Sequence, residues 1–109
     1  MEEKIILGLT EDVIINGHVV KAKIDTGAKG NSISKELVQK LKLNPIEGKI
    51  LIRSAAGQQL RSLVEGSLSL KGVDLKVRFN VTDRSQMRYK ILIGVEVLRK
   101  GFLVDPSIK

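Results

Sequence analysis

The chain has no cysteine and no tryptophan, one histidine, one tyrosine, two phenylalanines and two prolines. Each scarcity removes a class of function. Without cysteine there is no disulfide framework, no thiolate nucleophile and no Cys-based zinc site, so a reducing, cytoplasmic setting is expected. His18 is the only histidine and no His-Glu-x-x-His string occurs. A catalytic zinc, which usually takes three protein ligands, is therefore not expected, and His18 reads as an exposed residue beside a turn. No other cofactor is expected either, and the Gly-x-x-x-x-Gly-Lys-Ser/Thr phosphate loop is missing. Aromatic residues are too few to stack successive bases. Long apolar runs are also missing. Met1-Glu2-Glu3-Lys4 leads into the short stretch Ile5 to Leu9, too brief for a signal peptide or a membrane span, so a soluble chain without membrane association is expected.

Positive charge is plentiful: 19 Lys and Arg against 12 Asp and Glu leave a net charge of +7. The basic residues are spread along the chain, the one dense stretch being Arg84, Arg88, Lys90, Arg99 and Lys100. That distribution reads as a solvated surface rather than a nucleic-acid interface. Asn80-Val81-Thr82 matches a glycosylation sequon, an accidental match in a chain without a secretory signal.

β-Branched and aliphatic residues recur in short runs between Gly, Asn and Asp, the pattern of an all-β domain built from hairpins with one or two short helices. The length suits one domain over residues 1–109. Strands are expected at Ile5 to Leu9, Val13 to Ile15, Val19 to Ile24, Ser32-Ile33, Lys49 to Arg53, Leu60 to Leu70, Val73 to Val81, Tyr89 to Ile93 and Phe102 to Val104. Asn16-Gly17 supplies the positive φ angles of a tight hairpin turn. Ser34 can cap a helix from Lys35 to about Leu41 whose inner face carries Leu37, Val38 and Leu41. Asn44-Pro45 and Gly48 are expected to break the chain. Ala55-Ala56-Gly57-Gln58 marks the tip of a second hairpin, Lys71-Gly72 a further turn, and Val95 to Lys100 one or two helical turns.

The chemistry centres on Asp25. It follows an apolar strand and precedes Thr26-Gly27-Ala28, residues small enough for another backbone to approach, with Gly27 free to adopt conformations barred to others. On these four residues alone, a catalytic carboxylate and an ordinary turn aspartate both remain open.

Asp25-Thr26-Gly27-Ala28, set within Val20 to Ser34 and followed downstream by Ile91-Leu92-Ile93-Gly94 and a short helix, resembles the retropepsin-like aspartic peptidases in order and spacing. Longer blocks resemble one branch in particular. Lys21 to Lys29, Arg53-Ser54-Ala55-Ala56-Gly57, Thr82 to Tyr89 and Phe102 to Ser107 are similar to proteins labelled ATP-dependent zinc proteases, often associated with ATP-grasp amino-acid ligases. The resemblance implies a closed acid-protease barrel, a homodimer, a peptide or protein substrate, and a link to an ATP-grasp ligase system. ATP dependence would have to come from such a partner.

It also implies site residues. Asp25 would be catalytic, with Thr26 locking two active-site loops together and Gly27 leaving its backbone free for substrate. Ala28 and Lys29, with the flap-like tip Ala55, Ala56 and Gly57, would bind substrate. Two carboxylates can hold one water between them, one ionised as base and one protonated as acid, because two contacting negative charges share a proton. One Asp-Thr-Gly per chain therefore demands two chains related by a two-fold axis. Activity is expected to favour mildly acidic pH. A silent dimeric peptide- or protein-binding module of the same fold is the alternative.

Some positions depart from the family. Val95 stands where Arg often follows the apolar-Gly segment, and Lys29 where viral members often have Asp, so a salt bridge between these positions cannot form. Lys29 and Glu96 read as solvated charges. The His that often follows the Asp-Thr-Gly-Ala segment in the branch is replaced by the Ile33-Ser34 region. Asp83-Arg84 is expected to be a structural ion pair or turn, with substrate binding the alternative, and the aliphatic residues of the cleft to favour apolar substrate side chains.

Overall fold

The computed structural model describes residues 3–55, 57–84 and 87–109. The chain order is β1 (Ile5–Leu7), β2 (Thr10–Ile15), β3 (His18–Ile24), β4 (Asn31–Ser34), α1 (Lys35–Leu41), β5 (Asn44–Ser54), β6 (Gly57–Leu70), β7 (Val73–Thr82), β8 (Ile91–Ile93), α2 (Val95–Leu98) and β9 (Phe102–Val104).

β2 and β3 form a hairpin because Asn16 and Gly17 both take positive φ, 48° and 81°, the twist that a two-residue turn needs. Alternation then decides which side chains enter the core. Val13 and Ile15 on β2, and Ala22 and Ile24 on β3, are buried while their neighbours face out. The sheet runs β2-β3-β8-β4-β7-β6 and closes on itself where β2 pairs with β6, Val13 opposite Leu70 and Ile15 opposite Leu68. The result is a closed six-stranded barrel in a mostly β chain. Phe79 is the largest side chain with no exposed surface, and Leu7, Ile33, Leu68 and Ile91 pack in the same core.

β6 is long enough to serve two partners on one edge. Its C-terminal part closes the barrel on β2, and its N-terminal part pairs with β5 and carries the hairpin beyond the barrel wall. Asn44 and Pro45 lie within β5 instead of breaking the chain: β5 is an edge strand, where a residue without an N–H costs no ladder bond. Gly48, at φ 95°, instead marks a bulge between Ile46 and Lys49.

α1 begins and ends where expected. The Ser34 hydroxyl accepts the Leu37 N–H at 3.1 Å, and Leu37 and Leu41 are buried against the barrel. Two strands are shorter than expected. β1 stops at Leu7 because the tail crosses there: a Cβ on Gly8 would lie 2.7 Å from Ile108, and Leu9 donates to the Ile108 carbonyl. β8 starts at Ile91 because the carbonyl of Tyr89 accepts from the Arg84 side chain rather than from a neighbouring strand. β1 and β9 form a separate two-stranded parallel sheet, from which Ile6 and Leu103 protrude half-exposed.

Candidate active site

β3 runs parallel to β8, with Ile24 opposite Ile93, so both strands deliver their C-terminal ends to one place. Asp25 comes directly after β3, and its N–H donates to the Ile93 carbonyl at 2.9 Å. The next turn folds back on the carboxylate. Gly27 N–H donates to Asp25 Oδ1 at 2.9 Å and Ala28 N–H to the Asp25 carbonyl at 3.2 Å. Oδ2 has no hydrogen-bond partner among the described residues and Asp25 is half-buried, so one oxygen is anchored while the other is available.

Gly27 does not take positive φ, contrary to expectation. Space accounts for the glycine instead, since a Cβ there would sit 3.2 Å from Asp25 Oδ1.

The apolar-Gly segment is bound to the same loop. Val95 donates to the Ala28 carbonyl at 2.8 Å and Glu96 to the Lys29 carbonyl at 2.9 Å. A Cβ on Gly94 would lie 2.1 Å from the Gly30 carbonyl oxygen, so only glycine lets these backbones approach. Gly94 N–H donates to the buried Asn31 Oδ1. No ion pair joins Lys29 to Glu96 among the described residues; their link is through the backbone.

Thr26, Gly27 and Lys29 are exposed and Ala28 is half-buried. The Thr26 hydroxyl has no partner within the described residues of one chain. Ala55 and Gly57 stand at the tip of the β5–β6 hairpin, where Ser54 pairs with Gly57; Ala56 lies outside the described residues. Among the described residues, no hydrogen bond joins this tip to the Asp25 loop. His18 is exposed beside its turn. Asn80 is buried, which is incompatible with its sequon being a glycan acceptor.

Met87 N–H donates to the Arg84 carbonyl at 2.9 Å. Arg84 itself is only 8% exposed and belongs to none of the ion pairs among the described residues, Lys21–Asp12, Lys71–Glu11 and Lys76–Glu65. Burial pushes its guanidinium below the usual arginine range and the nearby Arg61 pushes the same way, while Asp25 pulls it back up. Burial lowers Arg61 as well. Both nevertheless stay charged near neutral pH.

Arg61 is held by Asn80, whose Oδ1 accepts from Arg61 Nη1 at 2.8 Å and from Ser32 Oγ at 2.9 Å, and whose Nδ2 donates to the Asn31 carbonyl. A continuous hydrogen-bonded path thus runs from Arg61 to the Gly94 segment beneath Asp25. Sequence reasoning passed over Arg61 and Asn31, and took Asn80 only as part of an accidental sequon. The available signal was an amide side chain interrupting an otherwise apolar strand, as Asn80 does between Phe79 and Val81.

These elements define an acid-protease barrel with an aspartate at the end of an inner strand. The aspartyl protease family model matches residues 12–97, and the chain belongs to that family. A Legionella pneumophila protein of unknown function superposes with a TM-score of 0.72 at 20% identity, covering 96% of this chain and 95% of that one. An EIAV protease in complex with an inhibitor gives 0.69 at 22% identity, covering 91% and 88%. The fold is therefore retropepsin-like. In sequence, the chain is 28% identical to a probable alpha-L-glutamate ligase of Shewanella halifaxensis, over 81% of its own length and 25% of that protein's. The chain spans about a quarter of the length of the curated relatives it matches.

No described helix is long and apolar enough to cross a membrane.

Proposed function

We propose that this chain, as one retropepsin-like domain, is half of a homodimeric aspartic endopeptidase in which two Asp25 carboxylates activate one water. The observation that carries this reading is the anchoring of Asp25: one oxygen accepts the Gly27 N–H and the other has no described partner. A water between two such carboxylates gives a proton to the ionised one as its oxygen attacks the peptide carbonyl. The protonated partner supplies the carbonyl oxygen with a proton. Collapse of the tetrahedral species breaks the C–N bond, and the amine leaves with a proton from the dyad.

Thr26 serves the dimer, its exposed hydroxyl meeting the symmetry-related loop. Gly27, Ala28 and Lys29 present backbone to the substrate from below, and the tip carrying Ala55 and Gly57 closes from above and excludes water. The half-exposed Ile6 and Leu103 of the β1–β9 sheet favour a second copy of the chain as occupant. The ligase-named relatives support action alongside an ATP-grasp ligase, in the reducing cytoplasm that a cysteine-free chain suits.

Asp25→Asn is the test. Cleavage of a peptide library should vanish while solution mass and circular dichroism stay those of the wild type. A variant that cuts as well as wild type overturns the assignment.

A further inference from the structure

We propose that Arg61 and Arg84 form a carboxylate-binding subsite beside Asp25, which selects an acidic side chain in the substrate close to the scissile bond. This inference rests on the peptidase reading and adds its specificity.

The two cations reach the site from different elements. Arg61 is on β6, in the arm that returns from the hairpin tip, and alternation places it on the same face as the buried Leu63. Arg84 follows the end of β7 in the connection to β8, the strand that holds Asp25. Leu63 lies opposite Asn80, so Arg61 sits on the stretch of β6 beside the end of β7, from which Arg84 follows. The bond from Arg61 to Asn80 continues through Asn31 to the Gly94 N–H, next to the loop that carries Asp25, and the charges of Arg61 and Asp25 both act on Arg84.

Among the described residues, each guanidinium is fixed by neutral acceptors only. Arg61 Nε donates to Gln59 Oε1 at 2.7 Å and Nη1 to Asn80 Oδ1 at 2.8 Å; Arg84 Nε donates to the Tyr89 carbonyl at 2.8 Å. Among the described residues, Arg61 Nη2 and both Nη nitrogens of Arg84 have no acceptor. No buried side-chain nitrogen or oxygen of the described residues lacks a partner, so these free edges touch solvent. A nearly buried cation is ordinarily paired with a carboxylate. Here neither guanidinium belongs to an ion pair among the described residues, and the charge of Asp25 opposes that of Arg61 at Arg84.

The arrangement is suited to a visiting carboxylate. Arginine's planar fork binds a carboxylate through two parallel N–H···O bonds, and Nε anchoring leaves the outer edge preorganised. A substrate carboxylate would relieve the Arg61–Arg84 repulsion. A neutral amide of the same shape would leave the cations unneutralised.

The experiment uses a fluorogenic peptide library with Glu or Gln at each position flanking the scissile bond. At one position wild type should prefer Glu by about tenfold or more in kcat/KM, mostly through KM, the scale of a hydrogen bond to a charged group. Arg61→Gln should erase the preference, and Arg84→Lys, which keeps charge but loses the fork, should weaken it. Since Arg84 is buried and bonded to Tyr89, Arg61→Gln is the variant expected to keep its fold. Equal cleavage of Glu and Gln peptides by wild type, or an unchanged preference in Arg61→Gln, overturns the proposal.

A binding arm separates this inference from the peptidase reading. Fluorescence anisotropy with Asp25→Asn should rank labelled Glu peptides above their Gln counterparts even if wild type cuts nothing. Loss of that ranking in Arg61→Gln supports the subsite, and no ranking at all overturns it.

Discussion

The backbone N–H of Gly94 donates to the side-chain oxygen of Asn31 at 2.9 Å in a buried setting, joining the segment after β8 to the start of β4. The same Asn31 donates from Nδ2 to the Arg78 carbonyl, and its carbonyl accepts from Asn80. One buried amide thus holds three strands in register beneath Asp25.

Removing either member of that pair should unsettle the floor of the site. Asn31→Ala leaves the Gly94 N–H and the Arg78 carbonyl without this partner, a loss of about 1–3 kcal/mol for a buried polar group. Gly94→Ala places a methyl against the Gly30 carbonyl oxygen and should cost on the order of 3 kcal/mol. Urea unfolding measures both, and wild-type midpoints would show that the loop can yield.

The cap of α1 gives a smaller, local effect. Ser34 is fully buried and its hydroxyl satisfies the Leu37 N–H. Ser34→Ala should lower stability by about 1 kcal/mol. Ser34→Asp, at a buried position, should not restore it, because the added charge must be desolvated. Thermal unfolding of the two variants checks the ordering.

The C-terminal turn carries an acid-sensitive contact. Ser107 donates to Asp105 Oδ1 from its hydroxyl at 2.6 Å and its N–H at 2.9 Å, holding the carboxyl below the usual aspartate range. A folded value below the unfolded one means the contact stabilises above the unfolded pKa of about 3.9 and is lost as pH falls through the folded value. NMR titration should find Asp105 ionising at lower pH than a free aspartate. Ser107→Ala should raise it, and an unchanged titration would remove these bonds as its cause.

The strength of the proposed dimer should respond to the two positions where family charges are missing. Val95 and Lys29 lie on backbones joined through Ala28 and Glu96. The double substitution Lys29→Asp with Val95→Arg should tighten association by about tenfold or more, the scale of a close interfacial charge pair. Sedimentation across a dilution series measures it, and specific activity should fall with dilution sooner in wild type than in the double variant.

Local chemistry was legible where one residue type has one physical use. Asn16-Gly17 specified its hairpin, Ser34 its cap, and the alternation of β7 its buried face. Where a residue's meaning depends on its neighbours, the outcome differed. Pro45 reads as a break until β5 is known to be an edge strand, and Gly27 reads as a φ requirement until Asp25 Oδ1 is seen to occupy the space beside it.

The amino-acid sequence alone determined the family likeness, the strand-rich architecture and Asp25 as the carboxylate of interest. It did so because small residues around an acid at the end of an apolar strand, followed by an apolar-Gly segment, form an ordered pattern along the chain. Only the tertiary structure decided how Asp25 is held, by the Ile93 carbonyl and the Gly27 N–H, and that Arg61 is tied through Asn80 and Asn31 to the Gly94 segment beneath it. Burial and electrostatic fields depend on distances through space, and residues far apart in the chain acquire those distances only when the barrel closes.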